Sequence, residues 1–590
     1  MMDNRLINVA MGKEAADLII RGGTLVNVHT RELYQADVSI ANNRIAGVGV
    51  LPQGAMGPNT RVIEAEGRYL APGFIDAHIH FESSMLSYTE FVNTVLPLGT
   101  TCVASDLMEV TIVSGLEGLH AILKESRGLP VTLKYPVPSF MGDESAFQTT
   151  GSILNAGMIE QLLQLPEAVG LAEVLVPPIL AGSAESQHVL KLARSLGKTA
   201  EGHAPATGGP ALHAYASTGI RSDHESTTKE EALEKLRNGL RVLMREGAAS
   251  TDLRACLKAI TEEGIDTRHC AMVSDDVDAL HLYTYGHMDH KIRLAIEAGV
   301  DPVTAIQMAT INPAESLKID DLHGSVSPGK YADIVLLSSL QSCTIDAVVA
   351  KGSLLVQDGK LMKPFVQGEY AEVLLHTVHF KRELKPGDLL IRAENGANRA
   401  TVKFIGSSPV SLLTEARTAD VEVQHGYLAS DVEQDVLHIA CVERYGKKGT
   451  VGKAFIRGFG LKRGAVATSV GHDHHNITVV GTNAEDMLLA VNRVRELEGA
   501  IVVVDNGKVV GELALPIAGL LSTLSGSEVA KIQHQLVDAM KALGCSMPSP
   551  FMTLSFITLI FIPDYGITDI GLFAVKDFSI VDPVISWRHA

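Results

Sequence analysis

The sequence predicts an α/β protein with a (β/α)8 barrel, a flanking β-sandwich domain and an additional C-terminal α+β domain. Between Gly73 and about Pro313, apolar strand-like runs alternate with helix-patterned stretches, which is typical of parallel βαβ units. These roughly 240 residues match the length of one such barrel. Short β-rich runs precede and follow it, and the composition changes again near Gly387.

The β-rich segments on either side of the barrel share a texture of short apolar runs separated by turn residues. We expect them to pack as one β-sandwich, a pairing that periodicity alone does not show. The predicted domains are the first part of the sandwich at 1–70, the barrel at 71–323, the second part of the sandwich at 324–386 and the C-terminal domain at 387–590.

Apolar periodicity predicts three helices, from Leu233 to Glu246, from His290 to Ala298 and from Glu485 to Glu498. The most apolar run, Phe551 to Ile562, is too short to span a bilayer. It predicts a buried strand or a pair of strands.

Composition narrows the classes of partner. The chain has 590 residues and a formal charge of −18, which argues against a nucleic-acid backbone or an anionic membrane because both would repel it. The six cysteines are scattered without a C-x-x-C pair, which predicts reduced thiols. The N-terminus lacks the residue order of a signal peptide, so we expect a cytoplasmic protein. Barrels with large flanking domains often pair, so we also expect a homodimer.

A pair of histidines ends the first apolar run of the barrel region. His78 and His80 are two residues apart, so in a β-strand their imidazoles point to the same side. Two converging imidazoles form half of a transition-metal site. Two unrelated histidines are the simpler alternative.

Later apolar runs also end in residues that bind metals, and barrel enzymes build their sites at such strand ends. Each residue alone has a structural alternative, a solvated carboxylate or a core histidine. Together they predict a binuclear centre in which a carboxylate bridges two cations and an acid carries a proton. The residues are Glu173, His203, His224 and the pair Asp275 and Asp276.

These motifs resemble the amidohydrolase superfamily and, within it, the bacterial adenine deaminases, over almost the whole chain. In the barrel the resemblance is carried by residues 72–85, 170–173, 202–203, 223–226, 274–276 and 286–289. In the C-terminal region it is carried by residues 441–446, 458–461 and 471–477, in a domain that most amidohydrolases lack. The fold it implies is a metal-dependent hydrolase barrel.

The resemblance implies hydrolytic deamination of adenine, a purine base, to hypoxanthine and ammonia by a metal-bound hydroxide. The implied cofactors are two divalent metal ions, manganese, iron or zinc. It assigns one ion to His78 and His80, the other to His203 and His224, the bridge to Glu173, and both ligation and proton transfer to Asp275. Glu82 and His287 are candidates for substrate contact or proton delivery, with a supporting structural role as the alternative.

One departure from the family pattern follows the second barrel strand. Adenine deaminases typically read Asp-Pro-His-Glu there, whereas this chain reads Asp106-Leu107-Met108-Glu109. Met108 has no strong hydrogen-bonding group, so the role of that histidine is absent or has moved. Glu109 remains a candidate substrate contact, or else a loop acid. The departure keeps two other functions open: hydrolysis of another purine, cyclic amide or amidine, and a non-enzymatic binding protein with this fold.

A group of three histidines, His472, His474 and His475, lies in the C-terminal domain. Read alone, it suggests a third metal site. It is also consistent with side chains that reach the barrel mouth or that pack at a domain interface.

Overall fold

The computed structural model describes residues 4–139, 146–408, 411–561 and 564–589. Its centre is an eight-stranded parallel sheet, curved into a nearly closed barrel, in which each strand pairs with its neighbours in the sequence. The strands are Phe74–Asp76, Thr100–Ala104, Thr132–Pro138, Ala168–Leu175, Thr199–His203, Ser222–Asp223, Arg241–Arg245 and Cys270–Val273.

Helices connect the barrel strands, because parallel strands need a crossover between them. They are Tyr88–Val95, Met108–Ser126, Ala156–Leu162, Val176–Leu180, Ala184–Ser195, Gly209–Ala216, Lys229–Arg237, Leu253–Thr261, Ala279–Thr284, Met288–Glu297, Pro302–Met308 and Ile311–Leu317. The helix predicted from His290 to Ala298 is confirmed as Met288–Glu297.

The helix predicted from Leu233 to Glu246 is wrong in its second half. The helix ends at Arg237, and Arg241–Arg245 is a barrel strand buried along its whole length. Gly239 lies between them with φ +85°, a left-handed conformation that terminates a helix. A buried strand has apolar residues on both faces, so periodicity did not separate it from the helix.

The first and last barrel strands meet through short extensions. Ile79–His80 pairs in parallel with Asp275–Asp276, and the Asp275 amide donates a 3.0 Å hydrogen bond to the His78 carbonyl. This contact closes the carboxyl end of the barrel. It also places both histidines of the H-x-H pair beside the last strand.

The segments before and after the barrel share one nine-stranded sheet. Tyr69–Pro72 joins them, because it pairs with Leu18–Asn27 on one side and with Ile334–Ser339 on the other. The remaining strands are Glu32–Ala41, Arg44–Gly49, Arg61–Glu64, Thr344–Ala350, Ser353–Gln357 and Lys360–Leu361, and helix Asn4–Ala10 packs nearby. The two segments are thus hydrogen-bonded to each other, while the domain limits given above stay a prediction.

The C-terminal region forms a ten-stranded sheet, with a separate three-stranded sheet at Tyr565–Ile567, Leu572–Ala574 and Ser579–Val581. The helix predicted from Glu485 to Glu498 is confirmed as Ala484–Glu496. The ten strands are Ala397–Ser408, Ser411–Gln424, Tyr427–Leu428, Leu437–Val442, Val451–Arg457, Ala465–Thr468, Ile477–Gly481, Ala500–Asp505, Lys508–Ala514 and Val584–His589.

The apolar run that begins at Phe551 is a helix, not the predicted strand or strand pair. Helix Pro550–Phe556 has proline at its first position, where the missing N–H is not needed. Met552 and Phe556 pack against Ala248 of the barrel region. Six of the seven residues of this helix are buried, all but Thr553, which is typical of a helix enclosed by its neighbours. Ile562 lies outside the described residues.

The second long helix of this region is Gly526–Ala542, which packs against Ala279–Thr284 of the barrel. All six cysteines are buried and free. Across the described ranges, no helix is both long enough and apolar enough to cross a membrane.

The seam between the two flanking segments is testable at Leu70. Leu70 is fully buried and lies opposite Leu25 in one neighbouring strand and Leu336 in the other. Leu70→Ala should lower the free energy of unfolding by about 2–5 kcal/mol, because it leaves a cavity between the segments. Leu33→Ala, at an exposed position of Glu32–Ala41, is the control and should change it by under about 0.5 kcal/mol. Unfolding in urea, monitored by circular dichroism, measures both changes. Equal losses of unfolding free energy in Leu70→Ala and Leu33→Ala would contradict this packing.

Candidate metal centre and active site

Four imidazoles and two carboxylates converge at the carboxyl end of the barrel strands. They form overlapping groups whose ligand atoms lie within 4.8 Å of one another. The structure thus brings together all six residues predicted as metal ligands. They are His78, His80, Glu173, His203, His224 and Asp275.

Glu173 faces all four imidazoles. Its Oε1 lies 3.0 Å from His80 Nε2, 3.6 Å from His78 Nε2 and 3.9 Å from His224 Nε2. Its Oε2 lies 3.7 Å from His203 Nδ1. A carboxylate in this position can hold one oxygen towards each of two cations.

Backbone conformation aims the two central carboxylates. Glu173 has φ +50° and Asp275 has φ +59°, which is the left-handed region that side chains other than glycine rarely adopt. Strand pairing is irregular at Glu173, where the register with the next strand shifts between Leu171 and Val174. Such conformations cost about 1–3 kcal/mol each, and they cluster at functional sites.

Carboxylates behind the imidazoles fix the orientation of the rings. Glu201 Oε1 lies 3.0 Å from His78 Nδ1 and 3.2 Å from His224 Nδ1. Asp106 Oδ1 lies 3.2 Å from His80 Nδ1. When Nδ1 donates its proton to a carboxylate, Nε2 keeps a lone pair for a metal. Three of the four imidazoles therefore present Nε2 to Glu173, and His203 presents Nδ1.

The donor set fits a metal centre. His78 Nε2 and His203 Nδ1 are buried and have no hydrogen-bond partner within the described part of the chain. His78 Nε2 nevertheless faces Asp275 Oδ1 at 3.5 Å, and His203 Nδ1 faces Glu225 Oε1 at 3.7 Å. Buried polar atoms are normally paired, so unpaired nitrogens aimed at carboxylates indicate ligands for a cation.

Two buried basic residues hold the acids of the site. Arg245 Nη1 contacts Asp275 Oδ2 at 3.1 Å and also binds Glu225. Lys235 Nζ binds Asp223 Oδ2 at 2.6 Å. Asp223 is therefore paired with Lys235. The ring of His224 lies between Glu201, at its Nδ1, and the flanking acid Glu225, whose Oε1 is 3.4 Å from its Nε2.

His287 lies behind the site. It is fully buried, with Nδ1 2.8 Å from Thr100 Oγ1 and Nε2 3.0 Å from Asp76 Oδ2. Asp76 in turn accepts hydrogen bonds from the amides of His78 and Ser274. Of the two roles considered for His287, this geometry favours structural support over substrate contact.

Glu82, Met108 and Glu109 lie on one side of the site. Burial, together with the charges of Asp106 and Glu109, raises the pKa of Glu82 to about 8. Glu82 Oε2 has no hydrogen-bond partner among the described residues. Met108 is buried in the main hydrophobic core, so it contributes packing at the position of the family histidine.

The C-terminal domain brings two histidines of the group at 472–475 to the barrel. His472 Nδ1 lies 2.9 Å from Glu109 Oε1, and His475 Nε2 binds Glu109 Oε2. His472 Nε2 lies 3.6 Å from Asp276 Oδ1, and its ring stacks on Phe556. The histidine group therefore does reach the barrel mouth, which was one of the alternatives raised by the sequence.

Glu109, His472 and His475 lie close enough together to hold a third metal ion, but a hydrogen bond argues against His475 as one of its ligands. His475 Nδ1 accepts a hydrogen bond from the Gly471 amide at 3.2 Å, so its proton is on Nε2. A protonated Nε2 donates to Glu109 and has no lone pair for a metal. His474 Nδ1 likewise accepts from the Asn476 amide at 3.0 Å.

Comparisons with known proteins agree with this architecture. Residues 69–355 match the amidohydrolase family, which is the class that the barrel and its ligand set define, and residues 411–579 match the adenine deaminase C-terminal domain. The chain is 39% identical to adenine deaminase of Moorella thermoacetica over 579 residues, 98% of this chain and 97% of that protein. It belongs to the adenine deaminase family.

Two further relatives are similar over nearly the same length. Adenine deaminase of Clostridium botulinum strain 657 is 40% identical over 93% of this chain and 92% of its own. Adenine deaminase 1 of Carboxydothermus hydrogenoformans is 40% identical over 98% of both chains.

Sequence reasoning missed Glu201, Arg245 and Lys235. Glu201 is two residues before His203, so the alternation that identified His78 and His80 places both side chains on one face of the strand. The sequence therefore contained a signal that pointed to Glu201. Arg245 gave no such signal, because its strand was predicted to be helical.

The role of Glu201 in orienting the imidazoles is testable by Glu201→Gln. The amide can no longer accept both Nδ1 protons as an anion, so the affinity for metal should fall by about 10–100-fold. Elemental analysis after dialysis against a weak chelator measures this loss. The exposed Glu230→Gln is the control, and equal metal content in the two variants would contradict the assignment.

Proposed function

We propose that this protein hydrolyses adenine to hypoxanthine and ammonia at a centre with two divalent metal ions. The observation that carries the proposal is the position of Glu173, whose two oxygens face all four imidazoles. The match of the C-terminal domain to that of adenine deaminases supports adenine as the substrate.

The proposed ligands divide into two groups around Glu173. His78 and His80 hold one ion, His203 and His224 hold the other, and Asp275 completes the set. Manganese, iron and zinc all suit such imidazole and carboxylate donors. An ion held there would lower the pKa of a bound water towards neutrality and polarise the bond under attack.

Asp275 is the proposed carrier of the proton. Arg245 binds its Oδ2, which leaves Oδ1 directed at His78 and His80. Asp275 Oδ1 accepts a proton from the attacking water and returns it to the leaving nitrogen, so that adenine and water become hypoxanthine and ammonia. Arg245 is a positioning residue in this scheme, because it keeps the carboxylate in one orientation.

Glu82 and Glu109 are the proposed contacts of the purine from the barrel, and His287 supports Asp76. A second candidate function is hydrolysis of another purine, a cyclic amide or an amidine, which Met108 favours because it replaces a hydrogen-bonding residue with a thioether. A homodimer and a cytoplasmic location complete the proposal, both from the sequence reasoning above.

Adenine turnover distinguishes the two candidates. Metal-loaded protein should release ammonia from adenine and shift the absorbance to that of hypoxanthine, while Asp275→Asn should lower kcat by about 100- to 10,000-fold. Asp358→Asn, in an exposed left-handed turn that suits asparagine, is the control. Turnover of a cyclic amide without turnover of adenine would establish the second candidate. Full activity of Asp275→Asn would instead assign the role of proton carrier to Asp276.

We further propose that His472 replaces the hydrogen-bonding group that Met108 lacks. Glu109 accepts the Nδ1 proton of His472, which directs Nε2 towards Asp276 at the barrel mouth. Phe556 stacks on the ring and limits its rotation. In this proposal His472, from the C-terminal domain, uses its Nε2 to form a hydrogen bond with the purine.

This proposal predicts a separation of substrate binding from metal binding. His472→Ala should raise KM for adenine by about tenfold, the value of one lost hydrogen bond to a polar base, with no change in metal content. The exposed His534→Ala is the control. Loss of one equivalent of metal from His472→Ala would instead support a third metal site.

A further inference from the structure

A second cavity lies at the opposite end of the barrel from the metal centre. Its volume is about 370 Å³. It is bounded by residues at the start of barrel strands, where Thr199 and Arg241 are first residues and Arg221 precedes Ser222–Asp223. The same strands lead towards His203, His224 and Arg245 at their other ends, so this cavity is separate from the site described above.

The lining of this cavity is strongly basic. It contains five lysine and arginine side chains and one histidine, and no aspartate or glutamate is among its described lining residues. This is unexpected in a chain with a formal charge of −18. The basic residues are Arg194, Lys198, Arg221, Arg241, Lys318 and His269.

The charges of these residues are mostly uncompensated. Lys318 Nζ donates to the Gly197 carbonyl at 2.9 Å, and Arg221 donates to the carbonyls of Ser316 and Glu315 at 3.1 Å. A carbonyl accepts a hydrogen bond without neutralising the cation. Arg241 does have a carboxylate partner, Glu315, at 3.2 Å.

Neighbouring cations act on two of the lining side chains, in addition to burial. Burial lowers the pKa of His269, and the charges of Arg241, Arg268 and Arg221 lower it further. Burial and the charge of Arg241 likewise lower the pKa of Arg221. Arg241 is 8% exposed, so this guanidinium is held within the protein and is not a freely solvated surface cation.

We propose that this basic cavity binds a small phosphorylated anion through Arg194, Arg221 and Arg241. Guanidinium groups match the geometry of phosphate oxygens and bind them by charge-assisted hydrogen bonds. The cavity volume is within the range of small-molecule sites and exceeds what a phosphate group alone fills. Free phosphate and a sugar phosphate share the chemistry required.

Isothermal titration of the full-length protein tests the proposal with inorganic phosphate, with ribose 5-phosphate, and with ribose as the uncharged control, all at constant ionic strength. We expect saturable binding of at least one of the two anions and none of ribose. Tighter binding of ribose 5-phosphate would identify a sugar phosphate as the source, and equal binding would identify free phosphate. These probes contain no purine, so the result does not depend on adenine turnover.

Variants of the lining locate the binding. Arg194→Gln, at an exposed residue whose loss should not affect folding, and Arg221→Gln should each weaken binding by about tenfold or more, since each loses charge-assisted hydrogen bonds. Arg417→Gln, in the C-terminal sheet, is the matched control and should bind as the wild type does. Absence of saturable binding of both anions, or unchanged binding in Arg194→Gln and Arg221→Gln, would overturn the proposal.

Discussion

The pairing of Ile79–His80 with Asp275–Asp276 is the contact on which the site depends. The first barrel strand stops at Asp76 and the last at Val273, and these two short extensions supply the strand pairing that closes the barrel. The hydrogen bond from the Asp275 amide to the His78 carbonyl places the carboxylate within 3.6 Å of the imidazoles of His78 and His80. The contact that closes the barrel therefore also brings the site residues together.

Buried charge is the second constraint. The site holds Glu173, Glu201, Glu225 and Asp275 within a protein interior, where unpaired carboxylates are strongly disfavoured. Arg245 compensates part of this charge. The remaining carboxylates face imidazoles, which is a stable arrangement when cations lie between them. The same acids that are costly without metal thus become ligands and ring-orienting groups with it.

Much of the barrel and of the ligand set could be predicted from the sequence, because both follow from local rules. Alternation along a strand placed His78 and His80 together, and strand ends identified Glu173, His203 and His224. The strand at Arg241–Arg245 and the helix at Pro550–Phe556 could not be predicted, because full burial removes the periodicity that distinguishes them. The contact of His472 with Glu109 joins residues 363 positions apart and has no local signal.

The C-terminal domain contributes side chains to the barrel site as well as covering it, since His472 and His475 both bind Glu109. The central claim remains the double role of Glu173 between two metal positions. Elemental analysis of the wild-type protein and of Glu173→Gln, each reconstituted with manganese, tests it most directly. The account predicts two equivalents of metal in the wild-type protein and a clear loss in Glu173→Gln. Two equivalents retained in Glu173→Gln would contradict it.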